Sequence, residues 1–408
     1  MRLALNYQRV DPTRGGAETY VVDLCQHLVQ LGHSVDLYAE TWREGALPAE
    51  VRCVPVEVTG RTRSARLRSF ARNSELALDQ ESYDCTIGLI NTWHHDVIIP
   101  QGGVHRGSLE ANSKRFPAGL RRSLYRLGKM INPKFWTYEA IEKKQYDPHR
   151  QARVIAVSHM VKSHLQDYHN LTRSRIHVIP NAIDASRLHV SHPEAVRCAF
   201  RNQLGIKPGD LVGLFVGHNF ALKGLRPLLK ALARRVEQNP GGRPIHLIVC
   251  GGGKVRAYRR FANRLGLGQT IHWLGFAPEI PPCFWASDFF VLPTYYDPCS
   301  LVVFEALACG LPVITTSCNG AGEVMTDGRE GYLLTEPDAI GELVDALERM
   351  TDDDARLVMS RHARELGQEQ TFDRHVARLI QVFLDVAGTR HRKTPHTPRS
   401  GQAKKLAR

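Results

Sequence analysis

The segment that decides the fold is SDFFVLPTYYDPCSLVVFEALACGLPVITT, which runs from Ser287 to Thr316. Its residue types predict a buried strand, a loop, a helix, a tight turn and a second strand. Asp297 lies in the predicted loop, and Glu305 lies in the helix that the loop enters. A loop that leads into a helix N-terminus offers N–H groups and a positive dipole end to a phosphate. The two carboxylates could accept hydrogen bonds from sugar hydroxyls.

The regions on either side extend this alternation of strands and helices. One run begins at Arg2 and a second at Leu211. This pattern predicts an α/β fold with two Rossmann-like domains that face each other across a ligand-binding cleft. The predicted division is an N-terminal domain over 1–183, a polar linker over 184–208, a C-terminal domain over 209–371, a helix over 372–388 that crosses back to the N-terminal domain, and a basic disordered tail over 389–408.

Positive charge is concentrated in three segments. The chain has a net charge of +13, and the basic excess of residues 61–75, 111–138 and 389–408 together is larger than that total. The rest of the chain is therefore net negative. Nucleic acid, an anionic membrane and an anionic substrate are the partners that such segments can serve. No recognised nucleic-acid module accompanies them, so nucleic acid is the least favoured of the three.

The segment 114–136 combines basic residues with an apolar stripe. Leu120, Leu124, Leu127 and Ile131 recur at helical spacing and define one face. A basic amphipathic helix with aromatic ends can lie in a membrane interface, and it can equally bury its apolar stripe in a protein core. Both alternatives remain open from the sequence. The residues predicted for membrane contact are Arg115, Arg121, Arg122, Tyr125, Arg126, Lys129 and Trp136.

Composition argues against several classes of protein. The apolar runs are too short to span a bilayer, and the first residues lack the apolar region of a signal peptide. The nine cysteines include no CxxC pair, and the histidines lack a metal-binding spacing such as HExxH. We therefore expect neither a disulfide framework nor a metal site. The expected location is the cytoplasm, with peripheral contact at the inner face of the cytoplasmic membrane as an option through 114–136.

The Ser287–Thr316 segment resembles the acid-x7-Glu signature of retaining GT-B glycosyltransferases of family 4, the group 1 transferases. Five further segments resemble motifs of this family in the same order: Pro12–Glu40, Val154–Leu165, Val178–Asp184, Val216–Leu225 and Asn319–Leu334. Within the family, Tyr38–Trp42, Asp96–His105 and Leu124–Leu127 are similar to lipopolysaccharide core glucosyltransferases.

The resemblance implies a GT-B fold and transfer of a hexose with retention of anomeric configuration and without a metal ion. The default donor is UDP-glucose, and the acceptor is a hydroxyl of a glycan or glycolipid, with the lipopolysaccharide core as one option. Alternatives are a different acceptor, such as an exopolysaccharide or a small molecule, and a non-catalytic protein that binds a nucleotide-sugar or an anionic membrane.

The resemblance also implies roles for individual donor-side residues. Gly15 and Gly16 would approach the donor diphosphate, Glu305 would bind the ribose, and Gly275 and Phe276 would hold the base. Backbone N–H groups would come from Cys299, Ser300, Leu301 and Val302.

The four residues predicted to be catalytic are Asp96, His105, Lys223 and Asp297. Lys223 would neutralise the leaving diphosphate, Asp297 would contact the sugar, and Asp96 and His105 would lie on the acceptor side. Two positions depart from the family pattern: Asp297 stands where Glu is usual, and His218, a donor-binding position, where Arg is common. A neutral His stabilises a diphosphate less well than Arg, so the rate or the donor could differ.

Overall fold

The computed structural model describes residues 1–276 and 280–393 of the chain. They form two parallel α/β halves, which bears out the predicted fold class. The last helix extends to Lys393, so the first five residues of the predicted disordered tail are helical. The remainder of that predicted tail lies outside the described residues.

The N-terminal half is built on a parallel seven-stranded sheet. Its strands are β1 (Arg2–Asn6), β3 (Ser34–Ala39), β5 (Arg52–Pro55), β6 (Cys85–Gly88), β7 (Val97–Ile98), β8 (Arg153–Ala156) and β9 (Ile176–Val178), and a separate pair joins β2 (Arg9–Val10) to β4 (Thr41–Trp42). The sheet order is β5-β3-β1-β6-β7-β8-β9. The direction of winding reverses at β1 and β6, which marks the crevice where ligands bind in such sheets.

Six helices belong to this half: α1 (Gly16–Gln30), α2 (Arg63–Leu78), α3 (His105–Ser113), α4 (Leu120–Met130), α5 (Pro133–Gln145) and α6 (His159–His169). A 3-10 turn over Arg173–Arg175 precedes β9. Ser158 caps α6, because its side chain accepts a hydrogen bond from the Val161 N–H at 3.2 Å.

The C-terminal half has a parallel sheet of six strands. They are β10 (Leu211–Val216), β11 (Ile245–Cys250), β12 (Ile271–Gly275), β13 (Phe289–Leu292), β14 (Val313–Thr316) and β15 (Gly331–Leu334), in the order β12-β11-β10-β13-β14-β15. All four residues of β13 are buried, as expected for a parallel strand covered on both faces. The helices are α7 (Pro193–Gln203), α8 (Leu225–Gln238), α9 (Val255–Arg264), α10 (Pro281–Ala286), α11 (Leu301–Ala308), α12 (Ile340–Arg349), α13 (Asp353–Glu369) and α14 (Phe372–Lys393), with a 3-10 turn over Gly320–Val324.

The stretch predicted as a polar linker is largely structured. It contains a 3-10 turn over Ala185–Leu188 and helix α7, which packs against α10. The reason is a buried ion pair that local sequence does not reveal: Arg201 donates to Asp288 at 2.8 Å and to the Ala286 carbonyl at 2.8 Å. Most of the stretch therefore packs as part of the C-terminal half.

Within residues 1–276 and 280–393 the chain crosses between the halves twice, and the two crossings lie side by side. Ile183 and Thr371 form a parallel β-bridge, and the Ile183 N–H donates to the Gln370 carbonyl at 3.4 Å. Beyond this bridge, α14 packs against α1, where the Tyr20 hydroxyl and His375 Nε2 are 2.8 Å apart.

Helix α4 lies on the surface with no buried residue. Its apolar side chains are solvent-exposed, with 75% of Leu120 and 56% of Leu124 accessible, and Leu127, Met130 and the following Ile131 are exposed as well. The alternative in which this stripe packs into the core is therefore wrong. Trp136 of α5 is also exposed and donates to the Met130 carbonyl at 2.8 Å.

Candidate active site

The two halves meet at the carboxyl ends of their central strands. The Val104 N–H donates to the Tyr296 hydroxyl at 3.1 Å, and the Asn181 side chain donates to the Cys299 carbonyl at 3.0 Å. Gly16 faces Leu301 so closely that a Cβ on Gly16 would lie 3.2 Å from the Leu301 side chain. The predicted glycine loop and the predicted donor helix thus oppose each other across a narrow cleft.

Lys223 and Asp297, both predicted to be catalytic, form an ion pair in this cleft. Lys223 comes from the loop after β10 and Asp297 from the loop after β13, so neighbouring strands deliver the two groups to one edge. Their side chains are only 20% and 10% exposed. A lysine held there by a single carboxylate can exchange that partner for an incoming phosphate.

Gly224 allows the Lys223 loop to approach the β13 side of the cleft. Its backbone has a φ of +78°, and a Cβ at this position would lie 1.8 Å from the Pro293 carbonyl oxygen. Any side chain would therefore push the loop away from the strand. The position of the Lys223 ammonium depends on this contact.

Helix α11 begins directly after the Asp297 loop. Its first N–H groups, those of Leu301 and Val302, have no carbonyl partner inside the helix and are oriented for an anion. The Ser300 N–H donates to the Asn319 side chain at 3.4 Å, and the buried Cys299 contributes its carbonyl to Asn181. Leu301 and Val302 are therefore more available donors than Ser300.

Glu305 lies one turn further along α11, half-buried at the domain interface. Burial raises its pKa to about 7, and the nearby Arg187 guanidinium opposes this shift. Arg187 also pairs with Asp23 of α1, whose own pKa is raised to about 6 by burial. A carboxylate that titrates near neutral pH is suited to bind hydroxyl groups, and its strength as an acceptor will depend on pH.

His218 and Phe276, predicted on the donor side, come together at the outer end of the cleft. Their rings stack with centroids 5.7 Å apart and an interplanar angle of 27°. Phe276 is 58% exposed and follows Gly275, which has a φ of +67°. An exposed aromatic face beside the Lys223 loop offers a stacking surface for a planar base.

The contacts that the structure shows for His105 are with α5. Its ring packs against Phe135 and Tyr138 of α5, and burial lowers its pKa. Among the described residues, no hydrogen bond joins its ring to Lys223, Asp297 or Glu305. Its position at the start of α3, directly after Val104, still places it next to the cleft wall.

Asp96 lies at the opposite edge of the sheet and does not fit the predicted catalytic role. It directly precedes β7, at the amino end of the strands, and its carboxylate accepts hydrogen bonds from the Thr86 N–H at 2.9 Å and hydroxyl at 2.8 Å. It lines a separate cavity of about 880 Å³ together with Glu75, His94 and Arg150. The prediction failed because β7 is only two residues long, so the sequence does not reveal at which end Asp96 lies.

Replacing Asp96 should therefore affect folding and not transfer. We expect Asp96→Asn to leave the rate of donor turnover within about twofold and to lower the free energy of unfolding by about 1–2 kcal/mol, because it weakens hydrogen bonds to Thr86. Steady-state kinetics and thermal unfolding measure the two effects. A loss of turnover above tenfold in a folded variant would restore Asp96 to the active site.

Several residues of the cleft received no predicted role. Glu323 accepts hydrogen bonds from the His159 and Met160 N–H groups at 2.6 and 2.8 Å, so it caps α6 of the opposite half. Asn181 and the buried Tyr296 also bridge the halves. Glu323 and Asn181 fall inside segments that resemble family motifs, but only the fold shows that they make contacts between the halves.

Within residues 1–276 and 280–393, no group of three or more His, Cys, Asp or Glu side chains is arranged to hold a metal ion. No helix in the same part of the chain combines the length and apolar character needed to cross a bilayer.

Sequence comparison matches both halves to glycosyltransferase family models. The model described as Glycosyltransferase Family 4 matches residues 14–187, and the one described as Glycosyl transferases group 1 matches residues 210–353. Together these ranges take in more than three quarters of the chain. The protein therefore belongs to the group 1 glycosyltransferases of family 4.

Individual relatives support this assignment. The chain is 23% identical to the lipopolysaccharide glucosyltransferase WaaG of Escherichia coli K12, over 87% of this chain and 91% of WaaG. It is 25% identical to D-inositol 3-phosphate glycosyltransferase 2 of Catenulispora acidiphila, over 88% of each.

Solved structures confirm the GT-B fold. A WaaG crystal structure superposes with a TM-score of 0.74 at 22% identity, covering 90% of this chain and 95% of WaaG. Anabaena HepE in complex with UDP-glucose gives a TM-score of 0.66 at 18% identity, covering 96% of this chain and 100% of HepE.

Proposed function

We propose that this glycosyltransferase moves glucose from UDP-glucose to a hydroxyl of a glycan or glycolipid, with retention of anomeric configuration and without a metal ion. The observation that carries the proposal is the Lys223–Asp297 pair beside the N-terminus of α11. Lysine and helix N–H groups can stabilise a departing diphosphate where other enzymes use a metal ion. HepE, which has the same fold, binds UDP-glucose.

The cleft suggests how the donor would lie. The base would stack near Phe276, the ribose would bind Glu305, and the diphosphate would lie between the Gly15–Gly16 loop and the start of α11. Lys223 would then exchange Asp297 for phosphate oxygens. Asp297, freed from the ion pair, could accept hydrogen bonds from the sugar.

The reaction would take place on one face of the sugar. The bond from the anomeric carbon to the diphosphate oxygen breaks, and a bond to the acceptor oxygen forms on the same side. The leaving diphosphate oxygen takes the acceptor proton, so no protein nucleophile is required. Lys223 and the helix N–H groups stabilise the charge that develops on the diphosphate, and the closed cleft holds the reactants together.

The acceptor is the least constrained part of the proposal. WaaG is a lipopolysaccharide glucosyltransferase, whereas the Catenulispora relative is a D-inositol 3-phosphate glycosyltransferase. We favour a membrane-anchored glycolipid such as a lipopolysaccharide core, because the exposed apolar face of α4 lies among basic residues. In this proposal α4 contacts the anionic inner face of the cytoplasmic membrane.

Donor binding should weaken as the pH falls through about 7. The Glu305 carboxylate accepts hydroxyl hydrogen bonds best when ionised, and its pKa of about 7 means that the free protein loses this form below neutrality. We expect UDP-glucose affinity to fall by up to about tenfold between pH 8 and pH 6. Calorimetry across pH 6–8 measures this.

Two variants test the assignment of this profile to Glu305. In Glu305→Gln the affinity should be lower at pH 8 and nearly independent of pH. In His218→Gln the pH dependence should persist, because Glu305 is retained. A profile that is unchanged in Glu305→Gln would exclude Glu305 as its source.

A donor panel tests the proposed function directly. Purified protein is incubated with UDP-, GDP-, ADP- and dTDP-sugars, with and without lipopolysaccharide core oligosaccharide, and released nucleotide is measured. We expect release from UDP-glucose, and proton NMR of the product should show the anomeric configuration of the donor. Release from a different donor alone would change the proposed nucleotide or sugar. No nucleotide binding at all would favour a non-catalytic role.

A further inference from the structure

A second cavity lies on the acceptor side of the cleft and is rich in arginine. It has a volume of about 460 Å³, and Arg9, Arg14, Arg63 and Arg66 line it. Its walls also include Tyr7, which follows β1, and Asn91, which follows β6. It therefore opens at the carboxyl edge of the sheet, at the point where the strand order reverses. We call it the arginine cavity.

Positive charge is in excess in the arginine cavity. Glu40 pairs with both Arg9 and Arg66, with its oxygen 3.2 Å from Arg9 Nε. Arg14 and Arg63 are solvent-exposed, and neither side chain forms a hydrogen bond or ion pair within the described residues. Glu18 is the one acidic side chain that lines the cavity. Four guanidinium groups thus face two carboxylates.

The dipole of α2 opposes the two arginines at its N-terminus. Arg63 and Arg66 both lie in the first turn of α2, and that turn contains no acidic residue. Cations at a helix N-terminus oppose the helix dipole, whereas an anion there is stabilised by it. The dipole and the guanidinium groups therefore favour the same kind of ligand.

We propose that the arginine cavity binds a phosphate group carried by the acceptor. Guanidinium groups match phosphate oxygens in pairs, and the donor diphosphate already has Lys223 and α11 on the opposite wall of the cleft. The cavity adjoins the Gly15–Gly16 loop, because Arg14 and Glu18 flank that loop. A phosphate held there would position a nearby acceptor hydroxyl towards the donor sugar. This inference rests on the proposed transferase function.

Ligand binding by three matched probes tests the proposal. Glucose 6-phosphate, glucose and UDP are titrated separately into the full-length protein at 0.15 M ionic strength, with binding followed by NMR of each ligand. We expect glucose 6-phosphate to bind at least about tenfold more tightly than glucose. Arg63→Ala and Arg14→Ala should each remove most of this preference, and UDP affinity should change less than about twofold in Arg63→Ala.

Arg61→Ala is the matched control, because Arg61 is exposed, lies two residues before Arg63 and does not line the cavity. The proposal is overturned if the wild-type protein binds glucose 6-phosphate no better than glucose, or if Arg61→Ala has the same effect as Arg63→Ala. An equal loss of UDP binding in Arg63→Ala would assign the cavity to the donor. Failure of UDP to bind the wild type would instead contradict the proposed function. The comparison of glucose 6-phosphate with glucose would still test whether the arginine cavity binds phosphate.

Discussion

Lys223→Ala should lower the rate of nucleotide release from UDP-glucose by on the order of 10²–10³-fold, which is the cost of removing one preorganised charge from a departing oxyanion. Lys223 lies in the loop after β10 and pairs with Asp297, whose loop leads into α11. Its loss leaves only N–H dipoles to stabilise the diphosphate. Release is measured with and without acceptor oligosaccharide.

Two further variants separate chemistry from folding. Lys223→Ala leaves the largely buried Asp297 carboxylate without its partner, which destabilises the protein by itself. Adding Asp297→Asn should restore the unfolding temperature without restoring the rate. Lys230→Ala, which removes an exposed lysine from α8, is the charge control. If Lys223→Ala retains more than a third of wild-type release, the role of Lys223 is refuted.

Removing three charges from α4 should weaken binding to anionic vesicles by on the order of 10²-fold. Arg121, Arg126 and Lys129 are exposed, and each basic residue near an anionic surface contributes about 1 kcal/mol. We therefore expect the triple Gln variant to sediment poorly with vesicles of equal phosphatidylglycerol and phosphatidylcholine at 0.1 M salt. Turnover of a soluble acceptor should stay within about twofold.

The C-terminal half offers a control with the same change in charge. Arg256, Arg259 and Arg260 are exposed on α9 and can also be changed to Gln. If both triple variants lose the same vesicle affinity, the attraction is a property of total charge and not of α4. If the wild type does not sediment with anionic vesicles at all, the membrane proposal fails.

The sequence was sufficient to predict that the residues assigned to the donor lie together at the cleft, because most of them belong to continuous motifs. Asp297 and Glu305 belong to one loop and helix, and Lys223 follows a clearly apolar strand. The stacking of His218 on Phe276 joins two residues that the resemblance had already assigned to the donor. In each case the end of a predicted strand indicated the edge of the sheet.

The acceptor side was less predictable for two reasons. Some of its strands are short, and the sequence does not show whether the apolar face of an amphipathic helix is buried or exposed. The two-residue strand β7 gave no indication that Asp96 lies at the amino edge. The period of Leu120 and Leu124 predicted a helix, but periodicity cannot distinguish a buried face from an exposed one. The arginine cavity assembles residues from four separated segments, and its members are too far apart in sequence to form a motif.

The paired crossings at Ile183 and Thr371 determine which motions the two halves can make. Two crossings placed far apart would hold the halves at two points and resist most rotations, whereas two adjacent segments bridged to each other act as a single hinge. Opening should then be a hinge rotation, in which the displacement of each residue grows with its distance from Ile183 and Thr371. Fluorophores attached near Phe276 and on α4 should report larger distance changes on UDP addition than a pair placed next to Ile183.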